Sequence, residues 1–161
     1  MLVRRKYYII IIMALAIFSR VVLIDQCPGG IHADEAFSGY EAWSLLHYGV
    51  DSAGYTNPVY LTVWGGGMSV LNSILMIPGI ALFGLNAVTV KIPAMVMGIV
   101  SVFVFYLLLK EIADAKTALW GSFLLAISPW HIMISRYGMD ANLCPAFVLI
   151  AMYLTALGIK D

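Results

Sequence analysis

Two carboxylates, Asp34 and Glu35, stand side by side in the stretch GGIHADEAFSGYEAW. On a helix, neighbouring side chains diverge by about 100°, so one cavity takes at most one of them and divided roles are favoured over a shared proton. Asp34 has two chemistries open to it. It can cap a helix running on to His47, accepting from backbone N–H groups for about 1 kcal/mol. It can also act as a general base that takes the proton of an attacking hydroxyl, if burial lifts its pKa. His32, two residues upstream, has no second ligand at metal-binding spacing, and Cys27 and Cys144 form no ligand pair, so no metal centre is expected.

A second group of polar residues lies in ISPWHIMISRYGMDANLCPAF. Arg136 and Asp140 are spaced to pair if a helix continues through them, and Asp140 also suits the N-cap of a last helix that carries Pro145 in its early turns. Alternatively, the planar fork of Arg136 matches a phosphate at a membrane surface. WGGGMS lacks the Lys and Ser/Thr that complete a phosphate loop, so it reads as a bend or a close backbone approach. His47, His131, Trp120, Trp130 and Tyr137 read as residues of the membrane interface.

The elements that position these residues follow from composition. The 161 residues are 62% apolar and only 11% charged, with no net charge. Soluble domains carry about 25% charged residues, so the chain belongs in a membrane, and nothing in its charge points to nucleic acid. The basic head and apolar run of MLVRRKYYIIIIMALAIF resemble a secretory signal, but no small-residue cleavage site follows, so the run is expected to remain as an anchor. Four spanning helices are expected, over 7–24, 92–109, 118–134 and 143–158. The first would run about 27 Å at about 1.5 Å per residue, with Arg20 snorkelling to the headgroups from its end. Small residues at Ala118, Ser122 and Ala126, and at Ala94 and Gly98, permit close helix contact.

The stretch Pro58 to Phe83 is apolar but interrupted by Gly65, Gly66, Gly67, Asn72, Pro78 and Gly79. If it spanned, Lys110 and Lys116 would fall on the face opposite Arg4, Arg5 and Lys6, against the positive-inside rule. Laid along the surface, it lets all of these and Lys160 sit in the cytoplasm. The fold expected is therefore all-α and integral to the membrane, with four spans and a long outer loop over 25–91. That loop would hold two juxtamembrane helices, Asp34 to His47 and roughly Val59 to Phe83. Asp34, Glu35, Arg136 and Asp140 then share the outer face.

In this order and sidedness, GGIHADEAFSGYEAW, NPVYLTVWGGGMSVL, LFGLNAVTVKIPAMVMG and ISPWHIMISRYGMDAN resemble the GT-C superfamily of membrane glycosyltransferases. They look like its family 39 branch, which is similar to protein O-mannosyltransferases and the aminoarabinose transferases that modify lipid A. The resemblance covers His32 onward and is to the N-terminal module of such enzymes, which are generally longer, so the remaining part of a longer enzyme is an expected partner. It implies inverting transfer of a sugar from a polyprenyl-phosphate donor to a lipid, glycan or protein acceptor on the outer face of the plasma membrane, with no nucleotide. No cofactor is implied, a divalent cation being left open. Asp34 corresponds to the acid that serves as base, Glu35 to a neighbour that places the acceptor, Arg136 to a residue near the donor phosphate, and Asp140 to a supporting acid. Two other readings stand beside it: a small non-enzymatic scaffold or subunit of a split transferase, and a transporter fragment, which is disfavoured because the acids lie at a surface rather than mid-bilayer.

Overall fold

The computed structural model describes the backbone of residues 2–159 and the side chains of residues 7–159. The side chains of Arg4, Arg5 and Lys6, and the whole of Lys160, on which the charge reading partly rests, lie outside the described residues. Helices dominate: α1 (Leu2–Val21), α2 (Ala33–Tyr48), α3 (Val70–Phe83), α4 (Ile92–Ile112), α5 (Ala115–Ile127), the single-turn-scale α6 (Pro129–Ile134) and α7 (Cys144–Gly158). Two 3₁₀ turns, Thr89–Lys91 and Asp140–Leu143, lead into α4 and α7.

Sequence explains most boundaries locally. Asp114 caps α5, its Oδ1 accepting from the Lys116 and Thr117 amides at 2.7 and 3.2 Å. Pro129 then ends that helix early, because the residue before a proline is pushed out of the helical region and proline offers no N–H; Ser128 is extended, at φ −60° and ψ 117°. Ser128 in turn caps α6 through the His131 amide. The span expected over 118–134 is therefore broken into α5 and α6. Two segments are long and apolar enough to cross a membrane, Thr89–Ile112 and Asp140–Gly158, whereas Tyr7–Val21, Val70–Phe83 and Ala115–Ile127 are apolar but shorter. The helical, membrane-type fold stands; four spans are not shown.

The all-α expectation also needs correction. Tyr60–Val63 (β1) and Gly66–Ser69 (β2) pair antiparallel, Val63 opposite Gly66, so Trp64 and Gly65 form the two-residue turn. Both have positive φ, 47° and 81°, as a type I′ hairpin turn requires. The second loop helix accordingly starts at Val70 and not near Val59. WGGGMS is a bend, as its glycines suggest: a Cβ on Gly67 would meet the Tyr60 ring at 3.0 Å.

α1 packs on α4 and α5 around buried Ile12, Ala16, Val102 and Ala126. Ala118, Ser122 and Ala126 all face inward on α5, and Ala94 and Gly98 on α4, so the small residues do permit close approach. A Cβ on Gly98 would fall 2.1 Å from Ser135 Oγ. α2 and α3 form a second layer around Ala42, Met76, Ile80 and Val90. The end of α1 meets the end of α5, and Val90, just before α4, meets Gly138, just before α7. α1, α4, α5 and α7 thus alternate in direction. The chain segments 22–32, 84–91 and 128–143 gather at one end of the bundle, while Lys110 and Lys116 lie at the other.

Arg20 does not snorkel. It is wholly buried and donates to the Ala16 and Ala126 carbonyls at 3.0 and 3.2 Å, with its Nη2 2.6 Å from His131 Nδ1. It satisfies carbonyls orphaned where α5 stops. His131, expected at the interface, is buried with it, at 6% exposure.

Candidate active site

The site is built at the start of α2. His32 is the N-cap, its Nδ1 accepting from the Asp34 amide at 3.2 Å, while Glu35 Oε2 accepts from the His32 amide at 2.7 Å. This reciprocal capping box satisfies two of the amides a helix start leaves open. The cap is therefore His32 rather than Asp34. Asp34 lies within the first turn, its side chain 42% exposed and 3.5 Å from His32 Nδ1. This contact is an ion pair only when His32 is protonated, and its Nδ1 then no longer accepts from the Asp34 amide. Among the described residues, no backbone N–H donates to the Asp34 carboxylate.

Glu35 points the other way, as two adjacent helical positions must. It is fully buried, and its Oε1 accepts from the Gly138 amide at 2.5 Å. One carboxylate therefore ties the first loop to the SRYGMDAN turn. Asn72, at the start of α3, adds a second tie: its Nδ2 donates to the Gly138 carbonyl at 2.8 Å. Gly138 has no room for a side chain, since a Cβ would lie 2.2 Å from the Val90 carbonyl oxygen. A third tie joins the hairpin, whose Ser69 amide donates to Asp140 Oδ2 at 3.2 Å, while Asp140 Oδ1 accepts from Ala141 at 2.7 Å.

Arg136 is 7% exposed and donates to three carbonyls, Cys27 through Nε at 2.7 Å, Ser19 through Nη1 at 2.9 Å and Val22 through Nη2 at 2.8 Å. These include the open carbonyls at the end of α1, where positive charge also suits the helix dipole. It does not pair with Asp140. Lys91, 1% exposed, spans the same loop from the other side, its Nζ donating to Pro28 and Gly30 at 3.1 Å each. Sequence reading missed Lys91, Asn72 and Gly138 as site residues. Only Asn72, an amide in an apolar run, carried a signal that could have flagged it.

The structure thus brings all four of the expected residues to one end of the bundle, with Asp34 and Asp140 partly exposed and Glu35 and Arg136 held by backbone. A bundle of apolar helices, two of them long enough to cross a bilayer, is that of a helical membrane protein. The family model described as dolichyl-phosphate-mannose-protein mannosyltransferase matches residues 71–161, more than half the chain, and the chain belongs to that family of membrane glycosyltransferases. The match supports the GT-C likeness and takes in Arg136 and Asp140, whereas Asp34 and Glu35 precede it. No curated protein and no solved structure matches the chain.

Proposed function

We propose that the chain transfers a sugar from a polyprenyl-phosphate donor to an acceptor hydroxyl, inverting the anomeric carbon, at the non-cytosolic face of the plasma membrane, as the N-terminal module of a GT-C transferase. The observation that carries this is the Glu35 to Gly138 hydrogen bond, which ties the start of α2, where Asp34 also stands, to the turn bearing Arg136 and Asp140. Asp34 is the base. It is the acid of the pair with no backbone donor, and it withdraws the acceptor proton as the hydroxyl attacks. Asp140, in the turn that Glu35 holds, is the supporting acid. Glu35 and Arg136 act on the substrates through the loops they fix, Arg136 closing the end of α1 beside the place a donor headgroup would occupy. No metal ligand cluster occurs among the described residues.

The test is Asp34→Asn in the complete protein, supplied with a polyprenyl-phosphate sugar in vesicles. Transfer should be lost while insertion and stability stay at wild-type level. Wild-type transfer by this variant would remove the base assignment.

A further inference from the structure

We propose that the hairpin Tyr60–Ser69 is an interfacial foot, seating Trp64 in the headgroup region of the leaflet that borders the candidate active site. Trp64 forms the tip and is fully exposed, at 102% of its reference area. It also holds φ at 47°, where turns of this kind favour Asn, Asp or Gly and a bulky aromatic residue is poorly suited. Among the described residues nothing compensates, because the ring packs on none of them. A tryptophan in an unfavourable conformation with no internal contact fits a partner outside the chain.

The surroundings say which partner. Tyr60 at the base of β1, and Val59 and Tyr55 in the chain leading into it, are exposed as well, and no charged residue occurs from Ser52 to Val90. Water-facing hairpins usually protect their edges with charges, lysine above all. This one has none, and its exposed rings are those that collect at the membrane interface. An uncharged patch does not select anionic headgroups, so the partner is the bilayer interface itself and not a particular acidic lipid.

Position agrees. The Ser69 amide, at the hairpin base, donates to Asp140, and Asp140 opens the segment Asp140–Gly158 that is fit to span a membrane. The base is thus pinned where a span begins, with Leu61 buried at 1% exposure to fix β1. A strand of this length reaches about 13 Å at about 3.3 Å per residue, more than the roughly 5–8 Å of polar interface on each side of the hydrocarbon, so the foot lies along the interface and not across it. Seated in this way, the foot would hold Asp140 at the depth of lipid headgroups.

The test uses the full chain with Trp43, Trp120 and Trp130 changed to Phe, in phosphatidylcholine vesicles, so that Trp64 alone emits. Its emission should be shifted to the blue. Lipids spin-labelled near the headgroup should quench it several-fold more than lipids labelled at the chain end or aqueous iodide, and added anionic lipid should change little. Water-like emission quenched by iodide overturns the proposal, as does a blue-shifted emission that neither lipid quenches. Should that variant fail to fold, Trp64→Cys carrying a spin label, in a chain lacking Cys27 and Cys144, decides the same question: greater access to oxygen than to a water-soluble nickel complex supports the foot, and the reverse overturns it. Neither measurement requires sugar transfer, so its failure is separate from failure of the proposed function.

Discussion

Substitution at Glu35 and Asp34 should separate two adjacent acids by what they hold. Both Glu35 oxygens accept backbone N–H groups, Gly138 at 2.5 Å and His32 at 2.7 Å, from a side chain with no exposed surface. Gln has the same shape but only one acceptor oxygen. That oxygen should go to the buried Gly138 amide, turning the NH₂ toward the His32 N–H at the partly buried rim, where water can relieve it. Losing one hydrogen bond to a charged group, at about 1.5–3 kcal/mol before that relief, predicts a destabilisation of about 1–3 kcal/mol for Glu35→Gln. Glu35→Ala strands both donors, for about 3–6 kcal/mol. Asp34→Asn touches a partly exposed carboxylate that accepts no backbone N–H, so it should lie within about 0.5 kcal/mol of wild type. Denaturant unfolding in one detergent, with hydrogen exchange read at the Gly138 amide, measures all three. If Glu35→Ala unfolds with wild-type stability and leaves Gly138 protected, the clamp is not what joins the two loops, and the reasoning fails.

Gly138→Ala forces a Cβ to 2.2 Å from the Val90 carbonyl oxygen, so backbone must move, at about 1–3 kcal/mol. Gly29→Ala, whose Cβ would sit 3.6 Å from the Gln26 oxygen, should be near neutral; equal stabilities for the two would refute the close contact. At the opposite end of the bundle, the Thr117 hydroxyl and the Lys116 and Thr117 amides hold the Asp114 carboxyl below its usual value. A depressed carboxyl stabilises above its unfolded pKa and stops doing so as pH falls through the folded one. The first turn of α5 should therefore lose exchange protection in the acid range, and Asp114→Ala should remove that dependence while lowering protection at neutral pH. Single cysteines at positions 34, 113 and 140, in a chain without Cys27 and Cys144, test sidedness. Positions 34 and 140 should react with a membrane-impermeant reagent from outside and 113 should not; labelling of 113 alone would reverse the topology, and labelling of 113 together with 34 would refute their placement on opposite faces.

Composition alone placed this chain in a membrane, because 62% apolar residues leave too little polar surface for water. Periodicity and breakers located α1, α2, α4 and α7 to within a few residues, and the order of polar stretches pointed to the family. These are local properties, carried by a residue and its near neighbours. The length of α5 was misjudged because Pro129 outweighed hydropathy, and the hairpin because alternation over four-residue strands is too short a signal against an apolar background. What only the tertiary structure decided is which charges serve as structure. Arg20, Glu35, Lys91 and Arg136 are each buried against backbone groups in segments distant along the chain. In a dry interior an ion must find compensating dipoles, and which carbonyl or amide supplies them depends on how helices pack. Asp34 stays open for the same reason: the packing that engages Glu35 on one side of α2 leaves its neighbour, about 100° around the helix, facing away.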